Sequence, residues 1–239
     1  LLYLKQSHHK SIIKKHIDYF LTPSENLTQF VSNHFQKEGK TLANPILIEK
    51  KQNSNSEGNY ILFVGRLVPE KGILTLLKAF QNIFKQFPNE KLWIVGDGNQ
   101  IEELQIFIEN NELKNVSFLG NKSREELHEI YANSKFSVVP SEYLEAYGNV
   151  ILESLAFGKT VITSDLVGIK EEIEQNNVGL TYSFKNQEAL EEKMVELLSN
   201  SGLKSELENN IPNYLVNKTF AKHFSDLVNV YENLLSRNR

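Results

Sequence analysis

Two cations and two carboxylates carry most of the chemistry this sequence can offer, and they cluster in two short loops. In Gly65-Arg66-Leu67-Val68-Pro69-Glu70-Lys71-Gly72, Arg66 and Lys71 bring two positive charges together. Gly65 lets backbone approach a ligand closely, and Gly72 frees the entry into the segment that follows. Two cations so placed would suit a diphosphate. The alternative reading is a turn whose charged tips face solvent.

The second loop is Pro140-Ser141-Glu142-Tyr143-Leu144-Glu145-Ala146-Tyr147-Gly148-Asn149-Val150-Ile151-Leu152-Glu153. Glu145 falls before the predicted helix and Glu153 in its second turn. From Gly148 to Glu153 a helix rises about 7–8 Å. An anion resting on the amides near Gly148, Asn149 and Val150 would then have one carboxylate on each side. A nucleotide sugar has that layout: ribose hydroxyls, diphosphate, sugar hydroxyls. The competing reading is an acidic residue near a helix start, favoured by the dipole, with Glu153 in solvent. A third stretch, Asp165-Leu166-Val167-Gly168-Ile169-Lys170-Glu171, reads first as an ordinary acidic cap.

The elements that must hold these loops are legible from apolar patterning. Strands are expected at Tyr60–Val64, Leu92–Val95, Val116–Leu119, Phe136–Val139, Val161–Thr163 and Gly179–Tyr182. Helices are expected at Gly72–Phe87, Ile101 to about Asn110, Ser123 to about Ala132, Gly148–Phe157, near Glu171, and at Glu188–Leu198. Ser123 with Glu126 forms a capping-box pattern. Alternation of this kind predicts βαβ units, a doubly wound parallel sheet with helices on both faces. The strands are continuous apolar runs, as in sheets covered on both sides. In such sheets ligands bind at the carboxyl ends of strands, where these loops lie.

Residues 1–16 read as the tail of a helix, followed by an extended Tyr19-Phe20-Leu21. Ser24 is a candidate N-cap for a helix over Leu27–Phe35, and Ile46-Leu47-Ile48 a further short strand. The run KKQNSNSEGN from Lys50 to Asn59 lacks any apolar side chain and reads as a linker. An amphipathic helix is expected over Phe220–Leu235.

Composition bounds the rest. At 239 residues the chain fits one full domain plus a remainder better than two complete domains. A net charge of −4 argues against nucleic-acid binding through phosphate neutralisation. The absence of cysteine removes disulfides and thiolate chemistry. The four aspartates, Asp18, Asp97, Asp165 and Asp226, are far apart in sequence, so no aspartate pair is available to hold a metal on a diphosphate. No required metal and no cofactor are therefore expected, with Arg66, Lys71 and helix amides supplying the positive charge. Gly96-Asp97-Gly98 lacks a third glycine at residue 101 and does not meet a nicotinamide motif. No apolar run reaches the length of a membrane helix, and a cytoplasmic protein is expected. The basic stretch Leu4–Ile13 reads first as a face packed on a preceding domain, with contact to an anionic membrane surface as the alternative. The only methionine is Met194, so Leu1 is not an initiation site and a partial chain is expected.

Taken in order, the motifs resemble the donor-binding, C-terminal half of retaining GT-B glycosyltransferases of family 4, the group 1 type. The resemblance covers about residues 44–185, and PSEYLEAYGNVILESLAFGKTVITSD is its most specific part. It implies a Rossmann-like donor domain over 59–239, an interdomain linker at 44–58 and a remnant of an N-terminal acceptor domain at 1–43. It implies that Gly65, Arg66 and Lys71 hold the diphosphate and stabilise the leaving nucleotide. Glu145 would then grip a sugar hydroxyl and Glu153 the ribose, with backbone at Tyr147, Gly148, Asn149 and Val150 supplying amides. Leu119, Gly120 and Asn121 would flank the base. The implied partners are a nucleotide-sugar donor, a glycan or lipid acceptor, and the missing N-terminal domain or a partner chain. Val167, Lys170, Thr160 and Ala146 depart from the family pattern, which weakens Glu171 as a site residue. Other expectations left open are a binding module that is inactive without its missing part, and epimerase or phosphorylase chemistry on the same fold.

Overall fold

The structure is a computed structural model that describes residues 11–47 and 58–237. By contact density it divides into two compact units, residues 46–216 and residues 1–45 with 217–239.

The larger unit is built on six parallel strands: β3 (Tyr60–Val64), β4 (Leu92–Val95), β5 (Val116–Gly120), β6 (Ser134–Val139), β7 (Val161–Ser164) and β8 (Gly179–Tyr182). Their order across the sheet is β5-β4-β3-β6-β7-β8. The chain thus runs outward from β3 to β5, then returns to place β6 on the other side of β3. That reversal is the topological switch point of a doubly wound sheet. It sets the loops after β3 and β6 side by side.

Both faces of the sheet are covered, which is why its strands are mostly apolar. In β3, Ile61 and Phe63 join the core on one face, formed with α2 (Ile73–Gln86), α3 (Ile101–Asn110) and α7 (Gln187–Ser199). Tyr60 and Leu62 point the other way, into a cluster with Ile130 and Tyr131 of α4 (Arg124–Ala132). Helices α5 (Asn149–Ala156), α6 (Lys170–Gln175) and α8 (Ser201–Leu215) complete the unit. Helix α8 has no counterpart among the expected elements. Its polar first half and Pro212 mask a buried face of Leu207, Ile211, Tyr214 and Leu215.

The smaller unit holds two short parallel strands, β1 (Tyr19–Thr22) and β2 (Glu38–Thr41), joined by α1 (Glu25–Phe35). Strand β2 reads EGKT and carries no apolar signal; pairing with β1 rather than propensity makes it a strand. Its polar character is absorbed by hydroxyls: Thr28 hydrogen-bonds Thr22 and Thr41 at 2.5 and 2.7 Å, and Thr41 donates to Glu25. Ser24 does stand at the N-cap of α1, but its side chain makes no capping bond.

Four expectations need correction or restriction. Ile46 and Leu47 are irregular rather than strand, and Ile48 lies outside the described residues. The linker run falls largely outside them as well. Helix α9 (Phe220–Arg237) groups with residues 1–45 rather than with the α/β sheet. Its His223 Nδ1 hydrogen-bonds the Ala43 carbonyl at 2.8 Å, and Arg237 pairs with Glu38. Of the helix tail at 1–16, residues 11–16 are helical and the rest lie outside the described residues.

Candidate functional site

The loop after β3 folds into a short 3-10 turn, Pro69–Lys71, and passes through Gly72 into α2. Gly72 has φ 69°, and a Cβ there would stand 1.9 Å from the Pro140 carbonyl oxygen. Only glycine allows this approach, which presses the first loop onto the second. Two further bonds lock them: the Glu142 amide donates to the Glu70 carbonyl at 2.8 Å, and the Thr75 hydroxyl donates to Glu142 Oε1 at 2.6 Å.

This contact brings Lys71 to Glu145. Lys71 Nζ forms an ion pair with Glu145 Oε1 and donates to the Tyr143 hydroxyl at 3.2 Å. The ammonium also lies 5.1 Å from the Tyr143 ring centroid, a cation–π distance. The Tyr143 hydroxyl donates in turn to Glu145 Oε1 at 3.2 Å, and Ser141 donates to Glu145 Oε2 at 3.0 Å. The carboxylate is 7% exposed, so water does little of its solvation. Its backbone is pinned as well, because the Glu145 amide donates to the Leu166 carbonyl at 3.0 Å.

Arg66 sits on the same loop, exposed, with no ion-pair partner among the described residues. Its placement depends on the Gly96-Asp97-Gly98 turn. Gly96, at φ 132°, would put a Cβ 1.9 Å from the Gly65 carbonyl oxygen. Leu67 donates to the Asp97 carbonyl at 2.8 Å, and Gln100 donates back to that of Leu67 at 3.0 Å. The same turn reaches the end of β5, where the Gly96 amide bonds the Gly120 carbonyl at 2.9 Å. Leu119 and Trp93 pack against the same cluster around Tyr60 and Leu62, and Asn121 is exposed just beyond.

Helix α5 opens at Gly148, which supplies no side-chain cap, with Asn149 and Val150 in its first turn. Glu153 follows one turn on. Its Oε2 accepts a 2.8 Å bond from the Tyr131 hydroxyl. It borders a cavity of about 270 Å³ with Arg124, Leu127 and His128 on the facing helix. Burial and the Glu153 charge push the Tyr131 hydroxyl well above its ordinary pKa, so it stays a donor. Tyr147 is buried too, and burial followed by Glu172 raises its hydroxyl.

The structure therefore joins Lys71 directly to Glu145, leaves Arg66 exposed on the loop that carries Lys71, and places Glu153 against Tyr131. Sequence reasoning did not single out Tyr143 or Ser141. Tyr143 could have drawn notice as the aromatic two residues before Glu145. Asp165 is no helix cap: Oδ1 accepts the Phe184 amide at 2.9 Å, tying the loop after β7 to the end of β8. Val167 is buried, Thr160 donates to the Val178 carbonyl, and Lys170 pairs with Glu174, so these departures are absorbed structurally. Among the described residues no cluster of three or more His, Asp or Glu could hold a metal ion.

Solved structures share this architecture. TarM of S. aureus superposes with a TM-score of 0.83 at 20% identity, over 92% of this chain and 45% of its own. Sucrose-phosphate synthase of Thermosynechococcus elongatus gives 0.81 at 20% identity, over 96% and 61%. The fold is that of GT-B glycosyltransferases. Residues 46–214 match the model of the glycosyl transferases group 1 family, and the chain belongs to that family. An uncharacterized glycosyltransferase of Methanocaldococcus jannaschii is 31% identical over 215 residues, 87% of this chain and 57% of that protein. An undecaprenol-linked glycan α-1,4-N-acetyl-D-galactosaminyltransferase of Campylobacter jejuni is 32% identical over 74% of this chain and 49% of its own. The chain thus spans about half the length of these relatives.

Proposed function

We propose that this chain is the donor-binding half of a retaining, family 4 glycosyltransferase that moves a sugar from a nucleoside diphosphate to a glycan or lipid acceptor. The observation that carries the reading is the meeting of Lys71 and Glu145, distant in sequence, at the switch point of the sheet. A diphosphate bound there takes charge from Lys71 and Arg66, and no metal is required. Glu145 receives a sugar hydroxyl, Glu153 the ribose, and the glycine-capped start of α5 offers amides to the anion. Leu119 and Asn121 flank the base.

In the transfer step the acceptor hydroxyl attacks the anomeric carbon from the face the nucleotide leaves. The bond to the diphosphate breaks as the acceptor proton passes to a phosphate oxygen. Stabilising the departing charge is then the main task of the site. In this reading the acceptor is held by a further domain or a partner chain, corresponding to the part of the relatives that this chain does not match. Relatives named for lipopolysaccharide and for undecaprenol-linked glycans support a cell-surface glycan as that acceptor. A cytoplasmic protein at the inner face of the membrane would suit such a substrate; among the described residues no helix is long and apolar enough to cross a membrane.

Thermal unfolding with uridine, guanosine and adenosine diphosphates and their sugar esters tests the reading. A ligand at a hundred times its dissociation constant adds about 2.7 kcal/mol. Stabilisation by one base series supports it. No shift with any of them refutes it.

A further inference from the structure

The Lys71–Glu145 pair occupies both groups that the proposed donor needs. Lys71 cannot give its full charge to a phosphate while it is bound to Glu145 Oε1. Glu145, 7% exposed, cannot lose Lys71 without a replacement donor, because a buried acceptor left short of a partner is costly. Tyr143 and Ser141 already donate to this carboxylate and leave the place that Lys71 vacates unfilled.

Resting on the donor-site reading above, we infer that this pair is an internal competitor that makes the site select sugar-bearing over sugar-free nucleotide. An intact donor draws Lys71 onto the diphosphate and presents a sugar hydroxyl to Glu145, so both separated partners are satisfied. A nucleoside diphosphate without sugar draws Lys71 away and leaves Glu145 with nothing in exchange. After transfer, the pair re-forms as the sugar departs and weakens the hold on the nucleotide product. Tyr143 lies between the two side chains, within 3.2 Å of both, and gives Lys71 a second resting partner during the exchange.

The test is a double-mutant cycle on the full chain, read by calorimetric titration with uridine, guanosine and adenosine diphosphates. Glu145→Gln keeps size and hydrogen bonding but releases Lys71. The diphosphate that binds the parent chain is expected to bind this variant about tenfold more tightly. In a Lys71→Met background the same Glu145→Gln change is expected to give little gain, since no cation remains to be released. An equal gain in both backgrounds would mean that Glu145 simply repels the phosphates, and would overturn the inference. So would unchanged affinity in Glu145→Gln, while leaving the nucleotide site itself standing. Failure of all three nucleotides to bind the parent chain would remove the donor reading and this inference together. Should Lys71→Met unfold alone, Lys71→Gln supplies the second background, and thermal melts confirm that each protein titrated is folded.

Discussion

Helices α4 and α5 flank the same side of the sheet but begin in opposite ways. At α4, the Ser123 hydroxyl accepts the Glu126 amide at 3.3 Å, and Glu126 Oε2 accepts the Ser123 amide at 2.8 Å. The helix closes its own end. At α5 the N-cap is Gly148, with φ 97° and no side-chain acceptor. Helix α2 likewise opens on a glycine, Gly72. By contrast α7 and α8 are capped by Asn186 and Asn200, each accepting an amide at 2.9 Å. The two glycine-capped helices follow β3 and β6, the strands that meet at the switch point. A helix needs an acceptor at its start. A start whose cap residue is glycine has no side-chain acceptor of its own at that position and lets another group approach the backbone closely, which is what the proposed anion site asks for.

If that contrast is right, the largest stability effect belongs to the glycine that holds the two site loops together. Gly72→Ala sets a Cβ against the Pro140 carbonyl and forces a left-handed φ on a substituted residue. A loss of at least about 3 kcal/mol is expected in denaturant unfolding. A smaller loss would mean that the loops can separate, and that the Lys71–Glu145 contact is less tightly built than it looks.

Arg66→Ala ranks next and sharpens the comparison from the other side. The side chain is exposed and unpaired among the described residues, so stability should change by less than about 0.5 kcal/mol. Turnover of the intact enzyme should nonetheless fall about ten- to more than a hundredfold, the cost of one charge-assisted contact of about 1.5–3 kcal/mol. Equal turnover would remove Arg66 from the diphosphate site.

Much of this could be read before any coordinates, and what escaped did so for physical reasons. The strands and helices between residues 60 and 199 announce themselves because both sheet faces are buried. Strand β2 does not, since a four-residue polar segment becomes a strand only through its partner. The cations and carboxylates of the site were visible by type, but their pairing was not. Lys71 meets Glu145 because β6 returns beside β3, and strand order is not encoded locally. Tyr143 and Ser141 matter for the same reason. The Gly96-Asp97-Gly98 turn was legible as a turn, but the packing of its backbone against Gly65 and Leu67 was not.

Tyr131→Phe probes the second carboxylate, which is held by a neutral donor instead of a cation. Glu153 loses a single hydroxyl partner and remains half-exposed, so about 1 kcal/mol of stability is expected to go. Nucleotide affinity should drop modestly, while affinity for inorganic pyrophosphate, which has no ribose, should not move. A parallel drop for pyrophosphate would show that Tyr131 supports the whole site rather than Glu153.

The smallest effect is expected at the self-capped helix, and it is the control for the contrast. Ser123→Ala removes one cap, costing about 0.5–1 kcal/mol, or about 1–4 °C in Tm at this size. Nucleotide affinity should be unaffected, since α4 is closed by its own residues. The Glu126 carboxyl is held below the ordinary carboxylate range, first by the Ser123 amide and then by Lys122. A depressed folded-state value stabilises the protein above the unfolded value, and that contribution disappears as pH falls through the folded one. Glu126→Gln should therefore converge in stability with the parent chain as acidification takes Glu126 through its lowered folded value, with the gap open at neutral pH, whereas the cap lost in Ser123→Ala does not titrate and stays lost at every pH. No such acid limb should attend Gly148, because its glycine cap has no side chain to titrate. If Gly148→Ala and Ser123→Ala weakened nucleotide binding equally, the difference between a helix that caps itself and one that waits for an anion would have no functional content.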